Sequence, residues 1–179
     1  HFFRESQHFD FLHARVIPVA ASEGRKLRIW SAGCSSGEEP YTLGIILREN
    51  LKDFNNWDIK ILATDISPSV LEIARQATYP QESLSDVPKH MQRRYFTKTT
   101  ADSLPAYTVS DSVRQLIKFA QLNLMGAWPM RGPFDVIFCR NVMIYFEKQT
   151  RTRLVERFHS ILKPGGYLFV GHSESLTGT

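Results

Sequence analysis

Five short apolar runs alternate with stretches of helical periodicity, and this alternation limits most strongly how the chain can fold. The runs predict strands at residues 27–32, 59–64, 116–121, 134–139 and 167–171. Helical patterns occupy residues 40–51, 68–77 and 148–162, and the first ~25 residues predict a lead-in helix and loop. Because strands that alternate with helices pair in parallel, the sequence predicts an α/β fold with a mainly parallel sheet.

The composition fits one compact domain without a membrane span. A length of 179 residues, with 42% hydrophobic and 22% charged residues, suits one core and is short for two. The sequence has neither an apolar run long enough for a bilayer nor a signal-peptide pattern, so we expect a cytoplasmic protein without membrane insertion. Cys34 and Cys139 lie at the ends of apolar runs without metal-site spacing, and we expect buried free thiols and no metal site.

Two segments interrupt the simple alternation. Residues 79–115 are too long for a plain connection and predict an inserted lobe. Its cluster of Lys, Arg and His could face nucleic acid or an acidic protein, although a net charge of only +4 favours a solvated helix face. After the last helix, the sequence KPGG at residues 163–166 predicts a stop and a tight turn into the fifth strand.

The segment from Arg28 to Tyr41 runs from an apolar strand through a glycine-punctuated loop into a helix. Gly33 allows a sharp turn and a close approach to a nucleotide-like ligand. The spacing is not G-x-G-x-x-G, and Glu38 and Glu39 would repel a pyrophosphate at the helix start. S-adenosylmethionine carries positive charge and no phosphate, so these carboxylates favour it over NAD or ATP. An ordinary strand-to-helix turn with solvated glutamates explains the same residues equally well.

Polar residues also follow the second and third predicted strands, where ligands bind in open parallel sheets. Asp65 can bind two ribose hydroxyls, and the alternative role is to cap the next helix, which Ser67 can do equally well. Asn123 and Leu124 can bracket the edge and face of an adenine, although a plain turn asparagine would look the same.

The fourth and fifth strands end in two further polar clusters. Arg140, Asn141 and Tyr145 come just after the fourth strand, and parallel pairing predicts that they join the same site. The fifth strand ends in GHSES, which differs from the G-x-S-x-G nucleophile elbow at its last position and has no acid and base partners after it. We therefore expect structural hydrogen bonding at residues 172–174.

Taken together, several motifs resemble those of the CheR family of chemotaxis receptor methyltransferases. They are FFR at residues 2–4, SAGCSSGEEPYTL, ATDIS, NL, FCRNVMIYF, LKPGG and GHSE, in the family's order from residue 2 to residue 174. The resemblance implies the Rossmann-like class I fold of S-adenosylmethionine-dependent methyltransferases, with helices on both faces of a mainly parallel sheet. It also implies a catalytic domain over residues 1–179, with a small inserted antiparallel β subdomain at 79–115.

By this resemblance, the protein transfers a methyl group from S-adenosylmethionine to glutamate side chains on the cytoplasmic helices of chemoreceptors. The products are glutamate methyl esters and S-adenosylhomocysteine, and the reaction serves chemotaxis adaptation. The implied cofactor contacts are Arg4, Glu38, Asp65, Asn123, Leu124, Arg140 and Asn141. Gly33, in the glycine loop, is added to them on its position in the sequence. The implied catalytic residues, nearest the transferred methyl group, are Arg4 and Tyr145.

The resemblance also sets expectations about partners. In some family members the β subdomain binds a receptor's C-terminal pentapeptide, and we expect a monomer without a nucleic-acid partner. The given residues contain neither the family's small basic N-terminal helical domain nor the antiparallel hairpin that closes its fold.

Two other functions stay open: a methyltransferase for another substrate, and a cofactor-binding signalling or adaptor module without turnover. Amino-methylating nucleic-acid enzymes usually place an Asn/Asp-Pro-Pro-aromatic motif after the fourth strand, whereas RNVMIY has no proline. The presence of Arg4 and Tyr145 argues against the adaptor.

Overall fold

The computed structural model describes residues 1–101 and 103–174, which form a five-stranded sheet flanked by helices and a separate three-stranded sheet. The strands of the large sheet are β1 (Lys26–Ala32), β2 (Asp58–Asp65), β6 (Ile117–Gln121), β7 (Phe134–Cys139) and β8 (Leu162–Val170). Those of the small sheet are β3 (Thr78–Pro80), β4 (Phe96–Ala101) and β5 (Leu104–Val109).

The helices lie mainly between the strands. They are α1 (Gln7–Phe11), α2 (Ile17–Ser22), α3 (Glu38–Asn50), α4 (Pro68–Gln76), α5 (Lys89–Tyr95), α6 (Asp111–Arg114) and α7 (Lys148–Ile161). A π-helical segment, Leu12–Val16, joins α1 to α2, and 3-10 turns occur at Phe54–Asn56, Gln81–Leu84 and Met143–Tyr145. In the part of the chain that the structure describes, no helix is both long and apolar enough to cross a bilayer.

All neighbouring strands of the large sheet are parallel, in the order β6-β2-β1-β7-β8. The chain builds outward from β1 through β2 to β6, and then crosses to the other side of β1 to add β7 and β8. The direction of winding therefore reverses at β1. In sheets of this kind a crevice for ligands opens at that reversal, outside the carboxyl ends of the strands. The predicted α/β fold with a parallel sheet is confirmed.

Helices bury both faces of this sheet. On one face, α3 and the N-terminal helices cover Leu27 and Ile29 of β1 and further apolar side chains of β2 and β7. On the other face, Phe158 of α7 packs with Trp30 of β1 and Ile137 of β7. From Ile29 to Ala32 β1 is buried on both sides, and the adjacent apolar residues Ile29 and Trp30 face opposite sides of the sheet, as is typical of central parallel strands.

The three-stranded antiparallel sheet, ordered β3-β5-β4, lies within the segment predicted as an inserted lobe. Phe2 joins it to the rest of the molecule, with its ring edge-on to Tyr79 at 5.0 Å and to Phe96 at 5.3 Å between centroids. The Tyr79 hydroxyl donates to the carbonyl oxygen of Ser36 at 2.6 Å. The small sheet is therefore tied directly to the glycine loop after β1.

The predicted ends of strands and helices agree with the observed ones within two residues, except at β8. The tight turn predicted over residues 163–166 was wrong, because these residues belong to β8. Leu162 already pairs with Phe134, and regular pairing resumes at Tyr167 after a register shift. A Cβ on Gly166 would lie 2.9 Å from a carbonyl oxygen of the neighbouring strand. The glycines thus form an irregularity within the strand rather than a turn before it.

The two cysteines are buried free thiols, as predicted. Burial raises the pKa of Cys34 and that of Cys139 well above the ordinary thiol value, and nearby carboxylates raise both further. Both thiols therefore stay protonated and serve as small apolar side chains.

Gly44 tests how closely α3 packs against α6. A Cβ at this position would lie 2.8 Å from Cγ1 of Val113, whose branched side chain cannot easily move away. We expect Gly44→Ala to lower the free energy of unfolding by roughly 1–2 kcal/mol, because overpacking costs more than the ~1 kcal/mol gained in helix propensity. Chemical denaturation measures this loss. In a Val113→Ala background the same change should be neutral or stabilising, and an undiminished loss there would contradict the packing explanation.

Candidate active site at the carboxyl edge of the sheet

A cavity of about 480 Å³ opens at the carboxyl edge of the large sheet. All nine residues predicted for the site line it: Arg4, Gly33, Glu38, Asp65, Asn123, Leu124, Arg140, Asn141 and Tyr145. The volume falls within the range of roughly 300–1,000 Å³ that is usual for small-molecule pockets. Parallel pairing has therefore brought together the residues that follow β1, β2, β6 and β7, and Arg4 joins them from the segment before the first strand.

The loop after β1 depends on two glycines with left-handed backbone conformation. Gly33 has a φ of 80° and Gly37 a φ of 95°. A Cβ on Gly33 would clash with the side chain of Val142, and one on Gly37 would lie 2.9 Å from the Cβ of Ala74. The predicted sharp turn is confirmed. At both glycines the close approach is to protein atoms, which lets the loop pack on its neighbours while residues 33–36 line the cavity.

Asp65 accepts backbone hydrogen bonds with both carboxylate oxygens at the end of β2. The N–H of Ser35 donates to Oδ2 at 2.9 Å, and the N–H of Ser67 donates to Oδ1 at 3.0 Å. The bond from Ser67 is that of an Asx turn just before α4. Among the described residues no side chain caps the first N–H groups of α4, so neither Asp65 nor Ser67 fills the alternative capping role. Each carboxylate oxygen keeps a further lone pair, and the half-buried side chain can still accept hydrogen bonds from a ligand in the cavity.

Glu38 and Glu39 begin α3 but have different partners. Glu38 accepts a hydrogen bond of 2.7 Å from the hydroxyl of Ser36. Glu39 accepts one of 2.7 Å from the hydroxyl of Ser31 and pairs with Nε of Arg140 at 2.5 Å. The cavity wall therefore carries the carboxylates of Glu38 and Asp65, which favour a cationic ligand over a phosphate.

The pairing of Arg140 with Glu39 is a feature that sequence reasoning missed. The Arg140 side chain is 5% exposed, and its Nη1 donates to the backbone oxygen of Arg4 at 2.7 Å. Its guanidinium also lies near the rings of Phe9 and Phe138. Arg140 thus fastens the N-terminal segment, including Arg4, to the edge of the sheet. The available signal was that Arg140 directly follows β7, whereas Glu39 lies in the first turn of the helix after β1, the neighbouring strand.

His8 completes the polar cluster around Arg140. Burial lowers the pKa of His8, and the nearby Arg140 lowers it further. The imidazole is therefore neutral at pH 7, and its Nδ1 lies 3.5 Å from Nη1 of Arg140 and 3.4 Å from a carboxylate oxygen of Glu5. A neutral ring avoids placing a second cation beside the buried guanidinium.

Asn123 and Leu124 follow β6 on the cavity wall. The side-chain oxygen of Asn123 accepts a hydrogen bond of 2.9 Å from the N–H of Met125, which is the bond of a turn asparagine. The alternative turn role is therefore present, and the residue lines the cavity as well. Leu124 belongs to the apolar core beneath the cavity and forms part of its floor.

Asn141 and Tyr145 lie between β7 and α7, in a segment that Glu174 holds. Asn141 has a φ of 58°, a left-handed conformation that asparagine tolerates. The N–H groups of Asn141 and Met143 donate to the Glu174 carboxylate at 2.8 and 2.6 Å. The structural hydrogen bonding expected at residues 172–174 is thus confirmed for Glu174. Tyr145 and Arg4 are both exposed at the rim of the cavity.

Comparison with known proteins supports the interpretation of this site. The family described as "CheR methyltransferase, SAM binding domain" matches residues 1–179. The chain belongs to the CheR methyltransferase family. Its cofactor is S-adenosylmethionine, and its fold is the Rossmann-like fold of methyltransferases that use this cofactor.

Two curated relatives show the extent of the similarity. "Chemotaxis protein methyltransferase" of Borreliella burgdorferi is 45% identical over 185 residues, which cover 99% of this chain and 64% of the relative. "Chemotaxis protein methyltransferase 2" of Pseudomonas aeruginosa is 46% identical over 175 residues, which cover 97% of this chain and 62% of the relative. The chain thus spans less than two thirds of the length of these two proteins.

A solved structure, described as the [4+2]-cyclase SpnF, is similar to this chain in fold alone. The TM-score is 0.50 at 17% sequence identity, over 87% of this chain and 43% of the other. Since one fold serves many reactions, the activity must be argued from the site.

The chemistry of the cavity fits S-adenosylmethionine. Glu38 and Asp65 offer carboxylates to a ligand that carries positive charge and ribose hydroxyls, and Leu124 offers an apolar surface to its base. Within residues 1–101 and 103–174, no group of three or more His, Cys, Asp or Glu side chains is placed to hold a metal ion.

The Glu39–Arg140 pair makes a prediction about stability. We expect Glu39→Gln to lower the free energy of unfolding by about 1–3 kcal/mol, because a buried guanidinium loses its charged partner. Urea denaturation measures this loss. Glu38→Gln is a matched control, since the amide oxygen can still accept from the hydroxyl of Ser36, and its effect should stay within about 0.5 kcal/mol. Equal losses in the two variants would contradict the role of the ion pair.

Proposed function

We propose that the protein transfers a methyl group from S-adenosylmethionine to glutamate side chains of chemoreceptors, giving glutamate methyl esters. The observation that carries this proposal is one cavity with carboxylates on its wall and exposed Arg4 and Tyr145 on its rim, in a member of the CheR family. Relatives described as chemotaxis protein methyltransferases support chemoreceptors as the substrates.

The positions of the side chains around the cavity support the following assignment of cofactor contacts. Asp65 is assigned to the ribose hydroxyls, Asn123 and Leu124 to the adenine, and Glu38 to the positively charged end. Arg4, Gly33, Arg140 and Asn141 complete the assigned wall. Arg140 acts mainly by holding Arg4, because its own guanidinium is already paired with Glu39. When bound, the cofactor supplies an electrophilic methyl group.

The chemistry needs positioning more than acid or base catalysis. A glutamate carboxylate has a pKa of about 4.3, so it is ionised at neutral pH and needs no general base. Charge is neutralised as the transition state forms, so strong pairing of this carboxylate with a cation would stabilise the ground state more. Alignment can supply several kcal/mol, up to roughly 10. We therefore assign Arg4 and Tyr145 to orienting the substrate carboxylate.

The small antiparallel sheet is the proposed contact for a receptor tail, such as the C-terminal pentapeptide that some family members bind. A shallow cavity of about 350 Å³ lies on this lobe, and its lining includes Lys89, Arg93, Lys98 and Tyr107. Positive charge beside an aromatic ring suits an acidic peptide. The strand β4 also forms one edge of the sheet, to which an extended peptide could add.

Asp65 tests the assignment of the cofactor site. We expect Asp65→Ala to weaken S-adenosylhomocysteine binding about tenfold or more, equivalent to roughly 1.4 kcal/mol, because the ribose hydroxyls lose their acceptor. Isothermal titration measures the affinity, and thermal unfolding checks that the variant still folds without the hydrogen bonds from Ser35 and Ser67. Asp58→Ala, at the opposite end of β2, is the matched control. Unchanged affinity in a folded Asp65→Ala variant would refute the assignment.

Substitution of Tyr145 tests the catalytic role assigned to the residues at the cavity rim. We expect Tyr145→Phe to lower the turnover number about tenfold while S-adenosylhomocysteine affinity changes less than about threefold, because the hydroxyl acts on the substrate rather than the cofactor. Steady-state methylation kinetics and titration measure the two quantities. A comparable loss of affinity and turnover would contradict this division of roles.

The function itself is tested by methyl transfer to purified receptor fragments. Labelled S-adenosylmethionine should deliver base-labile methyl groups to fragments with their glutamates intact, and none to fragments in which those glutamates are replaced by alanine. Tight cofactor binding without transfer would favour an adaptor module. Transfer that persists without those glutamates would indicate another substrate.

A further inference from the structure

Glu174, just after β8, has a buried carboxylate that accepts four backbone hydrogen bonds. Its exposed fraction is 8%. The donors and their N···O distances are Asn141 at 2.8 Å, Met143 at 2.6 Å, Ile144 at 3.2 Å and Gly171 at 2.6 Å. Among the described residues no cation forms a salt bridge with this carboxylate, so backbone N–H groups carry its stabilisation.

These bonds fix the segment that connects β7 to the rim of the cavity. Oε1 accepts from Met143 and Ile144, at the start of the 3-10 turn, and Oε2 accepts from Asn141 and Gly171. One side chain therefore satisfies N–H groups at the start of the turn and ties them to the end of β8. An amide in this place could not do the same, because one of its two terminal groups donates instead of accepting.

Gly171 makes this close approach possible. A Cβ at that position would lie 2.9 Å from Oε2 of Glu174 and 3.0 Å from the backbone nitrogen of Asn141. A side chain there would displace either the carboxylate or the segment that it holds. Gly171 and Glu174 of the GHSE motif thus act together: the glycine leaves the space in which the carboxylate binds the segment.

The position of the Tyr145 ring is set by the backbone that carries it, because the side chain itself is largely exposed. Its side chain is 80% exposed, and its hydroxyl has no hydrogen-bond partner among the residues that the structure describes. Its N–H donates to the carbonyl oxygen of Val142 at 3.3 Å, within the turn whose first N–H groups Glu174 accepts. The ring lies at the cavity rim, at the end of this turn.

We propose that Glu174 is a positioning residue for methyl transfer: its buried carboxylate fixes the backbone of residues 141–144 and so places Tyr145 at the cavity rim. This inference rests on the proposed function. Glu174 need not touch cofactor or substrate, and its contribution passes through Tyr145. The effects of changing the two residues should therefore be coupled.

A double-variant cycle with Glu174→Gln and Tyr145→Phe tests this coupling. Glu174→Gln should lower turnover on receptor fragments about tenfold or more, because misplaced groups lose their alignment. Tyr145→Phe should then lower turnover less than about twofold further, since Tyr145 is already displaced. Glu156→Gln, on the exposed side of α7, is the matched control and should leave turnover unchanged. A full Tyr145→Phe effect in the Glu174→Gln background would overturn the proposal.

Amide hydrogen exchange gives a readout that does not depend on methyl transfer. In Glu174→Gln, exchange at Met143 and Ile144 should accelerate about tenfold or more, while amides in β1 stay protected. Unchanged exchange at both amides would overturn the proposal even if turnover fell. Absence of methyl transfer by the unaltered protein would instead refute the proposed function, and the exchange data would still decide whether Glu174 holds the segment.

Gly171→Ala provides a second route if Glu174→Gln does not fold. This variant keeps the glutamate but pushes its carboxylate away from the segment, so exchange at Met143 should again accelerate and Tyr145→Phe should again lose its effect. Thermal unfolding confirms that the variant is folded. A folded Gly171→Ala variant with unchanged exchange and a full Tyr145→Phe effect would overturn the proposal.

Discussion

Parallel pairing of the five central strands is the constraint on which the rest of the molecule depends. Because all of these strands run in the same direction, the loops that follow them meet at one edge, and the reversal of winding at β1 leaves a crevice there. The central strands are buried on both faces, so these loops stand on a closely packed core. Function can therefore reside in short loops that this core positions.

Charge at this edge is divided between ligand binding and internal support. Glu38 and Asp65 leave acceptor capacity toward the cavity, whereas Glu39 and Glu174 are committed to Arg140 and to backbone N–H groups. The two committed carboxylates hold the two segments that bear the rim residues. Adjacent and chemically identical side chains thus differ in role because of the groups that face them.

The sequence predicted most of the fold because apolar periodicity is a local property. The limits of β1, β2 and α4 follow from apolar runs and from turn or cap residues, and the site residues follow from their positions after strand ends. The beginning of β8 did not follow, because Leu162 becomes a strand residue only by pairing with Phe134. Apart from Gly171, the partners of Arg140 and Glu174 lie in elements distant in sequence, so their bonds depend on packing that periodicity does not encode.

The hydrogen bond from Tyr79 to Ser36 links the small sheet directly to the loop after β1 that lines the cavity. Gly37 reinforces the link, since a Cβ there would lie 3.0 Å from the same hydroxyl. A ligand of the small sheet that moved Tyr79 would therefore also strain the loop that lines the cavity. If that strain altered the affinity for the cofactor, thermodynamic linkage would require the cofactor to alter the affinity for that ligand by the same factor.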